Sequence, residues 1–138
     1  MAAPLMGNRI VGRTRGSESY KWGTDCLAWS LIRETPLGIK EEWMPAGESE
    51  LCHMHKESVQ FFYILEGEAR MEINEQDFGI NTGEGILINT GEWHRIYCVK
   101  SPGVRFLVIS NPDIKSDRIQ RDTQAEIPFN VIDTSKTC

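Results

Sequence analysis

Short apolar stretches separated by turn-forming residues run through the middle of the chain: LAWSLIR, KEEWMPA, QFFYIL, ARMEI, GILI, HRIYCV and VRFLVIS. Between them lie Pro36, Gly38, Pro45-Ala46-Gly47, Glu66-Gly67, Asn74-Glu75-Gln76-Asp77, Thr82-Gly83-Glu84-Gly85, Asn89-Thr90-Gly91 and Ser101-Pro102-Gly103, residue types that supply tight-turn dihedrals or cap them locally. Runs this short at this spacing predict the strands of an all-β domain, and no long amphipathic helix pattern competes. Ala69, Met71 and Ile73 fall on one face of their segment and Arg70 and Glu72 on the other, the alternation of a half-buried strand. Residues 61–65 are apolar at every position. That predicts cover on both faces, one from the domain interior and one from another segment or a second subunit, and a homodimer is expected on that ground.

With 138 residues the chain suits one domain. Residues 25–112 carry the strand pattern and are expected to form a β-barrel. Residues 1–24 are polar and glycine-containing and read as an N-terminal arm, with an edge strand or partial disorder left open. Residues 113–138 follow Asn111-Pro112 and read as a short helix through Asp117 and Arg118, then a polar tail.

Composition narrows the partners. The net charge is −5, with Lys and Arg scattered rather than clustered, so no nucleic-acid partner is expected. No apolar run approaches the ~20 residues that cross a bilayer, and MAAPLMGNRIVGRTRG lacks the apolar segment of a secretory signal; a cytoplasmic protein with no membrane partner is expected. Cys26, Cys52, Cys98 and Cys138 are widely spaced in a domain large enough not to need staples, and free thiols are the expectation. Cys52 adjoins His53, but neighbours on an extended segment point to opposite faces, so the two are not expected to share a site.

Candidate chemistry centres on histidine, of which the chain has three. His53 and His55, in Cys-His-Met-His, share a face if extended. Gln60 follows and shares its face with Phe62 and Ile64; His94 opens HRIYCV after a glycine turn. Neutral imidazole is a directed donor to first-row metals, so three histidines and one amide meeting inside a barrel would make a metal site. The His-x-His pair alone also fits a surface or hydrogen-bonded pair. Ile64, Ile96, Cys98, Trp29, Trp43, Trp93 and Phe106 are candidate cavity walls or core, and Glu41, Glu42 and Glu48 candidate acid–base groups or surface carboxylates. No catalytic residue and no organic-cofactor site stands out.

Two gapped patterns sharpen this. The first is Gly47-ESELC-His53-Met54-His55-KESV-Gln60-FFYILE-Gly67, and the second is Gly83-EGILI-Asn89-Thr90-Gly91-Glu92-Trp93-His94, about sixteen residues on. In both, the spacing resembles the two motifs of the cupin superfamily, and together they use all three histidines. Gln60 stands where the family has glutamate, Asn89 where it has proline, and Cys98 where an asparagine is usual. The resemblance implies a single-domain cupin, an RmlC-like jelly-roll β-barrel, holding one divalent first-row metal ion (Fe, Zn, Mn or Ni) on His53, His55 and His94. Gln60 falls on the position of the fourth ligand, where it would serve as a weak neutral ligand or as a hydrogen-bonding core residue.

A glutamine in place of glutamate leaves the ion more of its positive charge, which favours an anionic small-molecule ligand. Within the family, three-histidine sites resemble those of iron dioxygenases, while similar scaffolds with other metals isomerise, cyclise, cleave or decarboxylate by polarising a carbonyl. The expectation is a metal-dependent enzyme of this kind. A non-catalytic binding cupin with an anchoring or structural metal is the alternative, and a sugar-binding cupin has no supporting residue.

Overall fold

The computed structural model describes residues 7–121 and 138. Eleven strands occur among them: β1 Glu18–Trp22, β2 Cys26–Glu34, β3 Leu37–Pro45, β4 His53–His55, β5 Val59–Glu66, β6 Glu68–Ile73, β7 Gln76–Asn81, β8 Gly85–Ile88, β9 His94–Tyr97, β10 Gly103–Asn111 and β11 Arg118–Gln120. They form two antiparallel sheets, one ordered β1-β2-β3-β10-β5-β8 and the other β11-β4-β9-β6-β7. This is the all-β jelly-roll arrangement that the turn spacing and the motifs led one to expect. No described helix is long and apolar enough to cross a membrane.

Strand pairing runs beyond residues 25–112. The N-terminal segment supplies β1 as an edge strand along β2, with Trp22 opposite Cys26. At the other end, the expected short helix is a single 3₁₀ turn, Lys115–Asp117, and β11 then pairs with β4. The expected polar tail over 122–137 lies outside the described residues. β7 is exposed at five of its six positions, leaving no apolar alternation from which to read it.

The turn between β6 and β7 shortens to two residues, Asn74 and Glu75, both at positive φ (46° and 73°). That is the primed turn whose twist matches an antiparallel hairpin. Asn74 also anchors the loop before β9: its backbone N–H donates to the Trp93 carbonyl, and its Oδ1 accepts from the Trp93 N–H. Gly67 joins β5 to β6 at φ +85°, and any Cβ there would strike the Gly103 carbonyl and the Val104 backbone. Both the dihedral and the close approach exclude a side chain.

The core lies between the sheets. Met44, Ile64, Met71, Ile96, Val104 and Phe106 are fully buried within it. The two faces of β5 differ: Phe62 and Ile64 point inward, whereas Val59 and Phe61 remain 37% exposed and Leu87, opposite Phe61 on β8, 52% exposed. Among the described residues no segment covers this outer face, contrary to cover by another segment of the chain.

The cysteines correct a second expectation. Cys26 and Cys98 are free and buried, but Cys52 and Cys138 form a disulfide between residues 86 apart in sequence. Proximity across that separation is set by tertiary folding, which spacing alone does not reveal. Cys52 is thereby removed from any role as a thiolate ligand, consistent with its facing away from His53. Cys138 is also tied to the β6–β7 end of the barrel, its N–H donating to Glu72 and its carbonyl accepting from the Glu75 N–H.

Candidate metal centre

Two neighbouring strands bring the histidines together. His53 and His55 project from one face of β4, and His53 lies directly opposite His94 on β9. The imidazole ring centroids are 4.3 Å apart for His53 and His94, 5.2 Å for His53 and His55, and 5.8 Å for His55 and His94. One ring nitrogen from each lies within 4.8 Å of the others.

The loops around these strands are tied down. Gly91, at φ +80°, donates its N–H to the His55 carbonyl, so the turn before His94 packs onto the strand carrying the other two histidines. The Glu92 carboxylate caps the same turn by accepting from the Asn89 N–H. Asn89, in place of proline, has the N–H this cap needs. Before β4, Glu50 donates its N–H to the Ile96 carbonyl and accepts the Ile96 N–H on Oε1.

Every imidazole is oriented by its Nδ1. That of His53 bonds the Leu51 carbonyl at 2.8 Å, that of His94 the Glu92 carbonyl at 2.9 Å, and that of His55 the Asp117 carboxylate at 2.9 Å. All three partners are acceptors, so Nδ1 carries the proton and the lone pair sits on Nε2. The Nε2 atoms of His55 and His94 are buried without a partner. Burial is the main reason that the His53 pKa falls to about 3, aided by Arg118, and the His94 pKa to about 4, aided by His53. Both rings are therefore neutral donors at ordinary pH. Buried lone pairs on neutral imidazoles, with no hydrogen-bond donor opposite, fit a divalent cation.

Gln60 is buried on β5 beside this cluster. Its Nε2 donates to Ser110 Oγ at 3.0 Å, and its Oε1 is buried with no partner. Since the amide nitrogen is committed, the carbonyl oxygen is the atom left to face the site.

Asp117 escaped sequence reasoning as a site residue. It is 4% exposed, and besides His55 it accepts the N–H groups of Glu57 and Ser58. Burial opposes its charge, but these hydrogen bonds prevail and its pKa is lowered, so it stays a carboxylate. Nothing local marks it, because it lies 62 residues from the histidine it orients.

The histidine cluster opens into a chamber of about 220 Å³ whose wall includes Gln60, Ser110, Lys40, Glu42 and Arg118. Lys40, Glu42, Glu50 and Arg118 also line a larger vestibule of about 630 Å³, bounded on its far side by Tyr20 and Trp22. Of the candidate acids, Glu42 faces the chamber, Glu48 lines only the vestibule, and Glu41 pairs with Arg13 and Arg105 at the surface. Burial pushes the Glu42 pKa up to about 7. The candidate wall residues lie elsewhere: Ile64, Ile96, Cys98 and Phe106 are core, and Trp29, Trp43 and Trp93 stack with Arg13, Arg105 and Arg121.

Residues 41–110 match the sequence profile of the cupin domain. The chain belongs to the cupin family. An uncharacterised protein of Methanocaldococcus jannaschii is 30% identical over 83 residues, which cover 60% of this chain and 66%, just under two thirds, of that relative. Among solved cupin-like structures, KdgF from Halomonas sp. superimposes with a TM-score of 0.72 at 11% identity, covering 79% of this chain and 97% of that one. A Thermotoga maritima protein described as a predicted oxalate decarboxylase gives 0.67 at 21% identity, with 75% and 99% covered. Streptomyces PAC13, solved with uridine, gives 0.71 at 10% identity, with 84% and 92% covered. At these identities the likeness is one of fold.

Proposed function

We propose that this cupin is a metal-dependent enzyme that binds one divalent first-row ion on His53, His55 and His94 and acts on a small anionic molecule. The observation that carries the reading is the set of three imidazoles, each anchored through Nδ1 and converging through Nε2. Gln60 completes the set as a neutral, weak fourth ligand through Oε1. When bound, the ion supplies Lewis-acid polarisation of a carbonyl or, if it is iron, dioxygenase-like chemistry. The chain's part is to hold three imidazole donors without a carboxylate ligand, so that the ion keeps its charge for an anion, and to place the Glu42 carboxyl in the chamber. The same reading includes a cytoplasmic homodimer that covers Val59, Phe61 and Leu87.

Elemental analysis of protein purified without an affinity tag tests this. About one divalent ion per chain is expected, lost in His53→Ala and His94→Ala. Gln60→Glu should tighten the hold on the ion while weakening binding of anions. Undiminished metal in the histidine variants would sink the assignment.

A further inference from the structure

We propose that the molecule this site takes carries two acidic groups, one held at the histidine cluster and the other by Lys40 and Arg118. This rests on the metal-dependent reading above and adds to it the charge and extent of the substrate. Arg118 on β11 lies directly opposite His55 on β4, so the two side chains share a face of that sheet. Lys40 reaches the same space from β3, in the other sheet. Both line the chamber and the vestibule, marking the passage between them.

Neither cation makes an ion pair among the described residues. Arg70, Arg95 and Arg105 each take a carboxylate on the barrel surface, whereas among the described residues no carboxylate lies within 4.0 Å of Lys40 or Arg118. Lys40 remains charged: burial works against its ammonium, but Tyr20, Glu42 and Asp113 outweigh that and raise its pKa. Glu42 and Glu50 share the passage but pair with neither cation; Glu50 accepts the Ile96 N–H, and burial raises the pKa of both carboxyls, that of Glu42 to about 7.

A single carboxylate would leave one half of this field unused. Placed on the metal, it leaves Lys40 and Arg118 without an anion; placed on them, it leaves the metal. An ammonium and a guanidinium in one passage suit either a second carboxylate or a phosphate; Arg118 Nε and Nη2 donate to the Gln120 amide oxygen, which leaves the remaining Nη donors for the anion. Chamber and vestibule together leave room for the chain linking the two groups.

Calorimetric titration of the metal-loaded protein with propionate, with malonate, succinate and glutarate, and with 3-phosphonopropionate tests the proposal. The best dianion should bind about tenfold or more tightly than propionate. Lys40→Met and Arg118→Leu should each shrink that advantage, and together abolish it, while metal content stays as in the wild type. A preference confined to the dicarboxylates identifies the second group as carboxylate, and one confined to the phosphonate as phosphate. Equal affinity for propionate and every dianion in a fully metal-loaded wild type overturns the inference alone. So does an advantage that survives in the double variant. Wild-type protein that binds no metal overturns the functional reading, and this inference with it.

Discussion

The two ends of the barrel interior are built from the same strands but differ in chemistry. Along the inward face of β5 the order is Gln60, Phe62, Ile64; along β9 it is His94, Ile96; along β10, read backwards, it is Ser110, Val108, Phe106, Val104; along β3 it is Lys40, Glu42, Met44. Register stacks these series, with Gln60 opposite Ser110, Phe62 opposite Val108 and Ile64 opposite Phe106. One end is therefore hollow and polar and the other solid and apolar, and Phe62, its ring centroid 6.2 Å from that of His94, marks the boundary. The packed end supplies the hydrophobic stabilisation that lets the other end keep buried donors unpaired, since an unsatisfied buried polar atom opposes folding.

Removing Phe106 strikes the packed end hardest. Phe106→Ala should cost about 3–5 kcal/mol, read from the shift in urea midpoint, because the ring is fully buried against Phe62. The refolded variant should still bind its metal; if metal is lost in step with stability, the two ends are not separable.

Asp117→Asn probes the hollow end alone. The amide cannot accept from His55, Glu57 and Ser58 as the carboxylate does, so metal affinity should fall about 10–100-fold in a competition titration. A small effect there would mean that the His55 ring is held by packing rather than by this bond.

Glu42→Gln should give the smallest effect, visible only through pH. Burial lifts the Glu42 pKa from 4.5 in the unfolded chain to about 7, with Lys40 and Arg118 opposing the rise and Glu50 adding to it. A raised folded-state pKa gives a contribution fully present below pH 4.5 and lost as pH rises through about 7. In chelator-treated protein the glutamine variant should match the wild type at pH 4.5 and exceed it by about 1–3 kcal/mol at pH 8 in urea unfolding. A difference that does not change with pH would show that burial leaves the Glu42 pKa where it stands in the unfolded chain.

Much of this was written in local patterns. Short apolar runs, turn residues and two gapped motifs determine the all-β barrel and mark His53, His55 and His94, because parity along a strand and glycines at tight turns are local constraints. Gln60 was equally visible, but which of its two amide atoms is left free depends on Ser110, a cross-strand partner fifty residues away. Lys40, Asp117 and Arg118 look like ordinary surface charges in the chain, and nothing local separates Glu42 from the other candidate acids, Glu41 and Glu48. The Cys52–Cys138 pair looks like two unrelated thiols. What makes them an acid of raised pKa, an orienting carboxylate, an anion-holding pair and a cross-link is burial and proximity between distant segments. These arise only when the two sheets close on each other.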